Sequence, residues 1–308
     1  MQNLLVVASQ VGVLFALMGI GALCRRFRLL DGTAVKGIVN VLILIVTPCL
    51  IIDVFQRPFD PSMMHGFAWA VLLVFLVHAV LVAVAHLLPC RADDSRPVLR
   101  LAVVFSNAGF MGIPLEQAII GAEGVFYGAV YIVMFNVFIW SWGLHEMSGK
   151  GGLSSARQMM VNPGTVGIAV GLPLFLLSAS LPAAIRTPVS MLAGLNTPLA
   201  MLVIGFHLAG ADYRRVMHTP VAYIAALVRL VAFPLAMIAV LYPFRGCLPR
   251  EMTLALVIAG SAPVAAMVTM FAAKFGRDVD LSAGLVSGTT LMSMLTMPPL
   301  IALALELL

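Results

Sequence analysis

The sequence predicts an all-α membrane protein: ten transmembrane helices in a 5+5 inverted repeat, with helices four and nine broken. Three observations carry this reading. The 308 residues are 62% hydrophobic and 10% charged, with a mean hydropathy of +1.07, whereas soluble domains are roughly 45–50% apolar and about 25% charged. The apolar residues fall into ten runs long enough to cross a bilayer. Short signatures and chain breakers recur at matching places in the two halves.

The runs are bounded by charges, prolines and glycines. The first, 3–23, has no basic residue ahead of it and is too long for the apolar core of a secretory signal, so it reads as a span. The others are 36–55, 66–88, 98–120, 124–144, 163–181, 188–209, 219–243, 252–274 and 281–304. Because about 20 residues are needed per crossing, 308 residues leave no room for a soluble catalytic domain.

The net charge of +5 would point to nucleic acid in a soluble chain. Here the basic residues lie in short loops, and membrane orientation explains them without a nucleic-acid partner. Loops after odd-numbered spans hold thirteen Lys and Arg, those after even-numbered spans four, and Arg229 lies within a span. Odd loops are therefore expected in the cytoplasm and both termini outside it, in a multi-pass protein of the cell (inner) membrane. Cys24, Cys49, Cys90 and Cys247 are scattered singly, which indicates neither a disulfide framework nor a zinc site.

The longest break in hydropathy, at 148–158, divides the spans five and five. It separates a first repeat (1–147), a cytoplasmic linker (148–161) and a second repeat (162–308). Thr47-Pro48 in span two recurs as Thr197-Pro198 in span seven, and Ser106-Asn107-Ala108 in span four falls opposite Ser261-Ala262-Pro263 in span nine. An odd number of spans per half inverts the second repeat in the membrane. Span four carries Asn107, Gly109, Gly112 and Pro114 near its middle, and span nine carries Gly260, Ser261 and Pro263 in its first half. Proline removes a backbone donor and glycine weakens helical order. Paired interruptions in two repeats point to a midplane binding site.

The residues SNAGFMGIP at 106–114, NPGTVGIAVGL at 162–172, the Thr-Pro pairs at 47 and 197, and SAP at 261 followed by AAKFG resemble the auxin efflux carrier family, which includes plant auxin carriers and bacterial transporters of malate, malonate or similar acids. The resemblance covers essentially the whole chain. It implies a scaffold of helices 1, 2, 6 and 7, a transport domain of helices 3–5 and 8–10, and a substrate site where broken helices four and nine cross. By that resemblance Asn107, Pro114 and Pro263 match the family's crossing residues. Met267 departs from many relatives, which carry a polar residue there, and leaves substrate identity open. A homodimer through the scaffold helices is compatible with the resemblance.

A helix that restarts at a break directs its unsatisfied N–H groups and partial positive charge toward the break, which favours an anion. The helix that ends there offers carbonyls, which suit Na+. Ser106, Asn107, Gly109, Pro114, Ser261 and Pro263 are the candidate substrate-binding residues, with the Asn107 amide and the serine hydroxyls able to meet either sign. Ionisable residues inside spans mark function. Arg229 lies near the centre of span eight, with Glu116 and Asp53 as candidate partners, and Glu116 has the type and place of a proton carrier. His78 and His207 could shuttle protons, although a lone histidine on an apolar helix is more often a packing residue. These readings lead to a secondary transporter of small organic anions (malate, malonate or auxin-like acids) working by alternating access. The alternative is a Na+-coupled symporter of the bile acid carrier type, or a membrane receptor on the same fold. No cofactor or metal is expected, the coupling ion is H+ or Na+, and no HExxH or GxSxG marks an enzyme.

Overall fold

The computed structural model describes residues 2–57, 61–91, 93–149, 163–211 and 213–308. In chain order its main helices are α1 (Gln2–Arg26), α2 (Gly32–Val54), α3 (Pro61–His86), α4 (Ser95–Val104), α5 (Ile113–Ile119), α6 (Ala122–Ser148), α7 (Pro163–Leu176), α8 (Ala183–Leu208), α9 (Pro220–Phe244), α10 (Arg250–Ser261), α11 (Met267–Phe275) and α12 (Val279–Leu307). Among the described residues, extended pairing is confined to two isolated bridges.

Seven of these helices, α1, α2, α3, α6, α8, α9 and α12, are long and apolar enough to cross a membrane. The other three runs read as spans are also helical among the described residues, but in shorter pieces. Run 98–120 is divided into α4 and α5, run 252–274 into α10 and α11, and run 163–181 yields the 14-residue α7. The first-repeat boundary at 147 lies near the end of α6, and most of the linker assigned to 148–161 falls at 150–162, outside the described residues.

Local chemistry sets the helix ends. Asp31 caps α2 by accepting from the Ala34 amide at 2.7 Å, and Arg25 and Arg26 close α1, where cations oppose the negative helix end. Three π-turns, Leu42–Val46, Ala108–Gly112 and Val228–Ala232, each end two residues before a proline: Pro48, Pro114 and Pro234. A proline ring clashes with the carbonyl four residues earlier, and a wider turn relieves the clash. At the first of these the Thr47 hydroxyl donates to the Leu42 carbonyl at 2.8 Å.

One end of the molecule is tied by ion pairs between elements: Arg100 with Glu146, Arg277 with Asp94, and Arg215 with Asp278. Beside them the Ser95 hydroxyl and amide hold the Asp93 carboxyl below its usual range. Large apolar side chains such as Leu44, Leu72, Leu177 and Leu295 are exposed, as befits helices whose outer solvent is hydrocarbon. Inside, one hydrophobic cluster gathers α3, α4, α6, α10 and α12, and a second lies between α1, α2 and α8.

The closest helix approach is that of α1 to α8. A Cβ on Gly21 would overlap the Leu202 backbone, and one on Gly205 would overlap the Met18 backbone. Because backbone cannot move aside as a flexible side chain can, Gly205→Ala is expected to lower thermal stability in detergent by about 1–3 kcal/mol, the usual cost of overpacking. Gly19→Ala, which meets open space on α1, is expected to leave the melting temperature unchanged or raise it. Thermal unfolding of both variants checks this.

Candidate functional site

The breaks in the two interrupted runs meet. Pro263 pushes the residue before it into extended conformation, and Ala262 accordingly has φ −64° and ψ 148°. In the other interrupted run Phe105 is extended at φ −103° and ψ 112°. Ser106 and Val264 form an antiparallel bridge. The Asn107 amide donates to the Pro263 carbonyl at 2.7 Å, the Ala265 amide to the Phe105 carbonyl at 2.9 Å, and the Val264 amide to the Thr289 hydroxyl at 3.2 Å. Each break thus supplies the backbone partners that the other lost.

Arg229 completes the crossing. It is fully buried on α9, and its guanidinium donates to the Val103 carbonyl at 3.2 Å, the Val104 carbonyl at 3.3 Å and the Gly260 carbonyl. These carbonyls belong to the last turns of α4 and α10, so one cation sits on two negative helix ends. Its Cζ lies 4.6 Å from the Phe233 ring centre, and the Tyr131 hydroxyl is close by. Neither acid named from the sequence fills this place. The Glu116 oxygens have no hydrogen-bond partner, and Asp53 faces Ser190 at 3.5 Å.

A cavity of about 120 Å³ opens on the other side of the crossing. Ser106, Asn107 and Gly109 line it, together with Ala265, Ala266 and Met267 at the start of α11. Thr47 and Asn136 add polar groups, and Phe110, Ile132, Phe135 and Trp140 give it an apolar wall. Asn107 is 5% exposed and its Nδ2 has no hydrogen-bond partner, leaving a donor free beside the cavity. The Ser106 hydroxyl is 3.2 Å from the Tyr131 hydroxyl, which links the cavity wall to the Arg229 cluster.

The remaining sequence-named residues lie around this centre. Pro263 shapes the break, Pro114 opens α5, and Ser261 donates to the Val257 carbonyl at 2.7 Å, so its hydroxyl is spent within α10. None of these three lines the cavity. His78 is buried, its Nδ1 is 2.9 Å from the Val74 carbonyl, and its ring stacks on Phe138 at 5.1 Å, as a packing residue does. His207 is exposed and meets Phe206 edge-on.

Sequence reasoning missed Asn136, Trp140 and Asn196. Asn136 interrupts the apolar stretch VMFNVFIW, a polar signal inside a span that was available but not used. Asn196 carries no local signal. It starts the second segment of α8 and donates to the Gly109 carbonyl at 3.3 Å, a contact that exists only in the folded protein.

Removing the guanidinium leaves buried carbonyls without their charged donor, at about 1.5–3 kcal/mol for each bond lost. Arg229→Met is therefore expected to lower the melting temperature in detergent by several degrees. Arg229→Lys should recover only part of the loss, because an ammonium lacks the planar fork. Unfolding curves for both variants against wild type decide it.

Comparison with known proteins gives the family. Residues 6–301 match the family described as membrane transport protein. The chain is also similar to an uncharacterized transporter of Methanothermobacter thermautotrophicus, with 28% identity over 212 residues. That alignment covers 65% of this chain and 65% of the relative, so the chain spans just under two thirds of the relative's length. A family match over nearly the whole chain, on a set of long apolar helices, shows that this multi-pass membrane protein belongs to the membrane transport protein family, the one that its auxin-carrier-like motifs resemble.

Proposed function

We propose that the protein is a secondary transporter that moves a small organic carboxylate by alternating access, with the crossing as its substrate site. The observation that carries this reading is the division of charge at the crossing. Arg229 already occupies the carbonyl ends of α4 and α10, so the ends that would suit a cation are taken. The starts of the two restarting helices and the free Asn107 Nδ2 remain beside the cavity, and these favour an anion. Phe110, Phe135, Trp140 and Met267 on the cavity wall favour an acid with an apolar body over a compact dicarboxylate.

In this reading the seven long helices, the two interrupted ones and α7 make ten crossings in two inverted halves. The crossing belongs to a transport domain that moves against a scaffold containing α1, α2, α7 and α8. Both termini lie outside the cytoplasm of the cell membrane.

Two measurements test it. If Asn107 donates to a carboxylate, Asn107→Ala removes a bond to a charged group, worth about 1.5–3 kcal/mol, and affinity falls about ten- to a hundred-fold. Asn107→Asp is expected to bind more weakly still, since it sets charge against like charge. Ligand affinities from a thermal-shift screen of mono- and dicarboxylates, aromatic acids and Na+ give the order, and tighter binding by Asp than by Ala would refute an anionic substrate. For orientation, cysteines placed at Leu308 and at Arg28 in a cysteine-free background should differ toward an impermeant thiol reagent on intact cells. Labelling is expected at 308 with protection at 28, and the reverse pattern would invert the topology.

A further inference from the structure

Glu116 has no role in the site as described, yet its surroundings are unusual. It lies on α5, in the helical stretch 108–119 that starts next to Asn107, and is fully buried. Neither carboxyl oxygen has a hydrogen-bond partner. The carboxyl packs against backbone. A Cβ on Gly128 of α6 would overlap it, and one on Gly112 would lie 3.7 Å from its Oε1. Gly128 therefore leaves a crevice that this acid fills, with Gly112 in ordinary contact beside it.

The helices packed around α5 carry other ionisable groups: Glu123, Tyr127 and Tyr131 on α6, Cys24, Arg25 and Arg26 on α1, and Arg250 and Glu251 on α10. None of them donates a hydrogen bond to Glu116, and Glu116 is in none of the ion pairs among the described residues. A buried carboxylate with no counter-charge is strongly disfavoured, so the crevice accommodates the neutral acid.

We propose that Glu116 is the proton-carrying residue of the transport cycle: its carboxylate takes one proton from water on one side of the membrane, holds it as the acid against Gly112 and Gly128, and returns it to water on the other. This rests on the transport reading above and supplies its coupling ion. The mechanical link is the helical stretch 108–119, which joins the cavity-lining Asn107 to Glu116. A shift of the crossing that admits or releases substrate slides α5 along α6, and the carboxyl leaves its glycine crevice as it does so.

The test uses the purified full-length protein in lipid vesicles. Infrared spectra at neutral pH are expected to show the carbonyl stretch of a protonated carboxylic acid that disappears in Glu116→Gln. With radiolabelled mandelate, an aromatic carboxylate of low bilayer permeability, a pH gradient should drive wild-type accumulation several-fold above the equilibrium ratio. Glu116→Gln should still exchange labelled for unlabelled mandelate while reaching only a ratio of one. Lack of the infrared band in wild type, or undiminished pH-driven accumulation by Glu116→Gln, would overturn the proposal. Exchange without any pH-driven accumulation in wild type overturns the proposal alone, whereas no mandelate exchange in wild type removes the transport reading and the proposal with it. If Glu116→Gln does not fold, Glu116→Asp keeps the acid but retracts it by one methylene, and its transport pH profile is expected to shift. An unchanged profile would overturn the proposal.

Discussion

Two apolar helices that stop inside a protein leave amides and carbonyls that must find partners, because a buried backbone group left unpaired costs about 1–3 kcal/mol and more where the surroundings are lipid. In this protein the two stops satisfy each other. The antiparallel contact of Ser106 with Val264 pairs the extended residues, and Arg229 serves the carbonyls of both terminating helices. That mutual pairing sets side by side the cavity-lining residues of the two breaks, Ser106, Asn107, Ala265 and Ala266.

The same pairing sorts charge. With a guanidinium fixed on the carbonyls of α4 and α10, the cavity is lined by Asn107, the start of α11 and a largely apolar wall. The buried cation thus has a structural task that also biases the site. A cation held by carbonyls and an aromatic ring is compensated without a carboxylate, which is why Glu116 can stand apart from it.

The breaks were legible because proline and glycine act locally. Pro263 dictates an extended Ala262 wherever it stands, and Pro48, Pro114 and Pro234 each impose a widened turn just upstream. The partner of Arg229 was not legible. A search for opposite charges named Glu116 and Asp53, but carbonyl oxygens are present at every residue and leave no mark in a sequence. Ser261 shows a related difficulty: its hydroxyl is a good ligand by type, yet an i−4 carbonyl within its own helix takes it.

The sequence by itself determined that this chain lives in a membrane, where its apolar runs begin and end, where two of them are interrupted, and which family it resembles, because hydropathy, proline geometry and short motifs are properties of consecutive residues. Only the tertiary structure decided that the two breaks pair with each other, that Arg229 neutralises helix ends rather than an acid, that Asn136 and Trp140 face the same cavity as Asn107, and that Glu116 lies alone between glycines. Those arrangements bring together residues far apart in the chain, such as Ser106 with Tyr131 and with Val264, which packing fixes and local sequence does not encode.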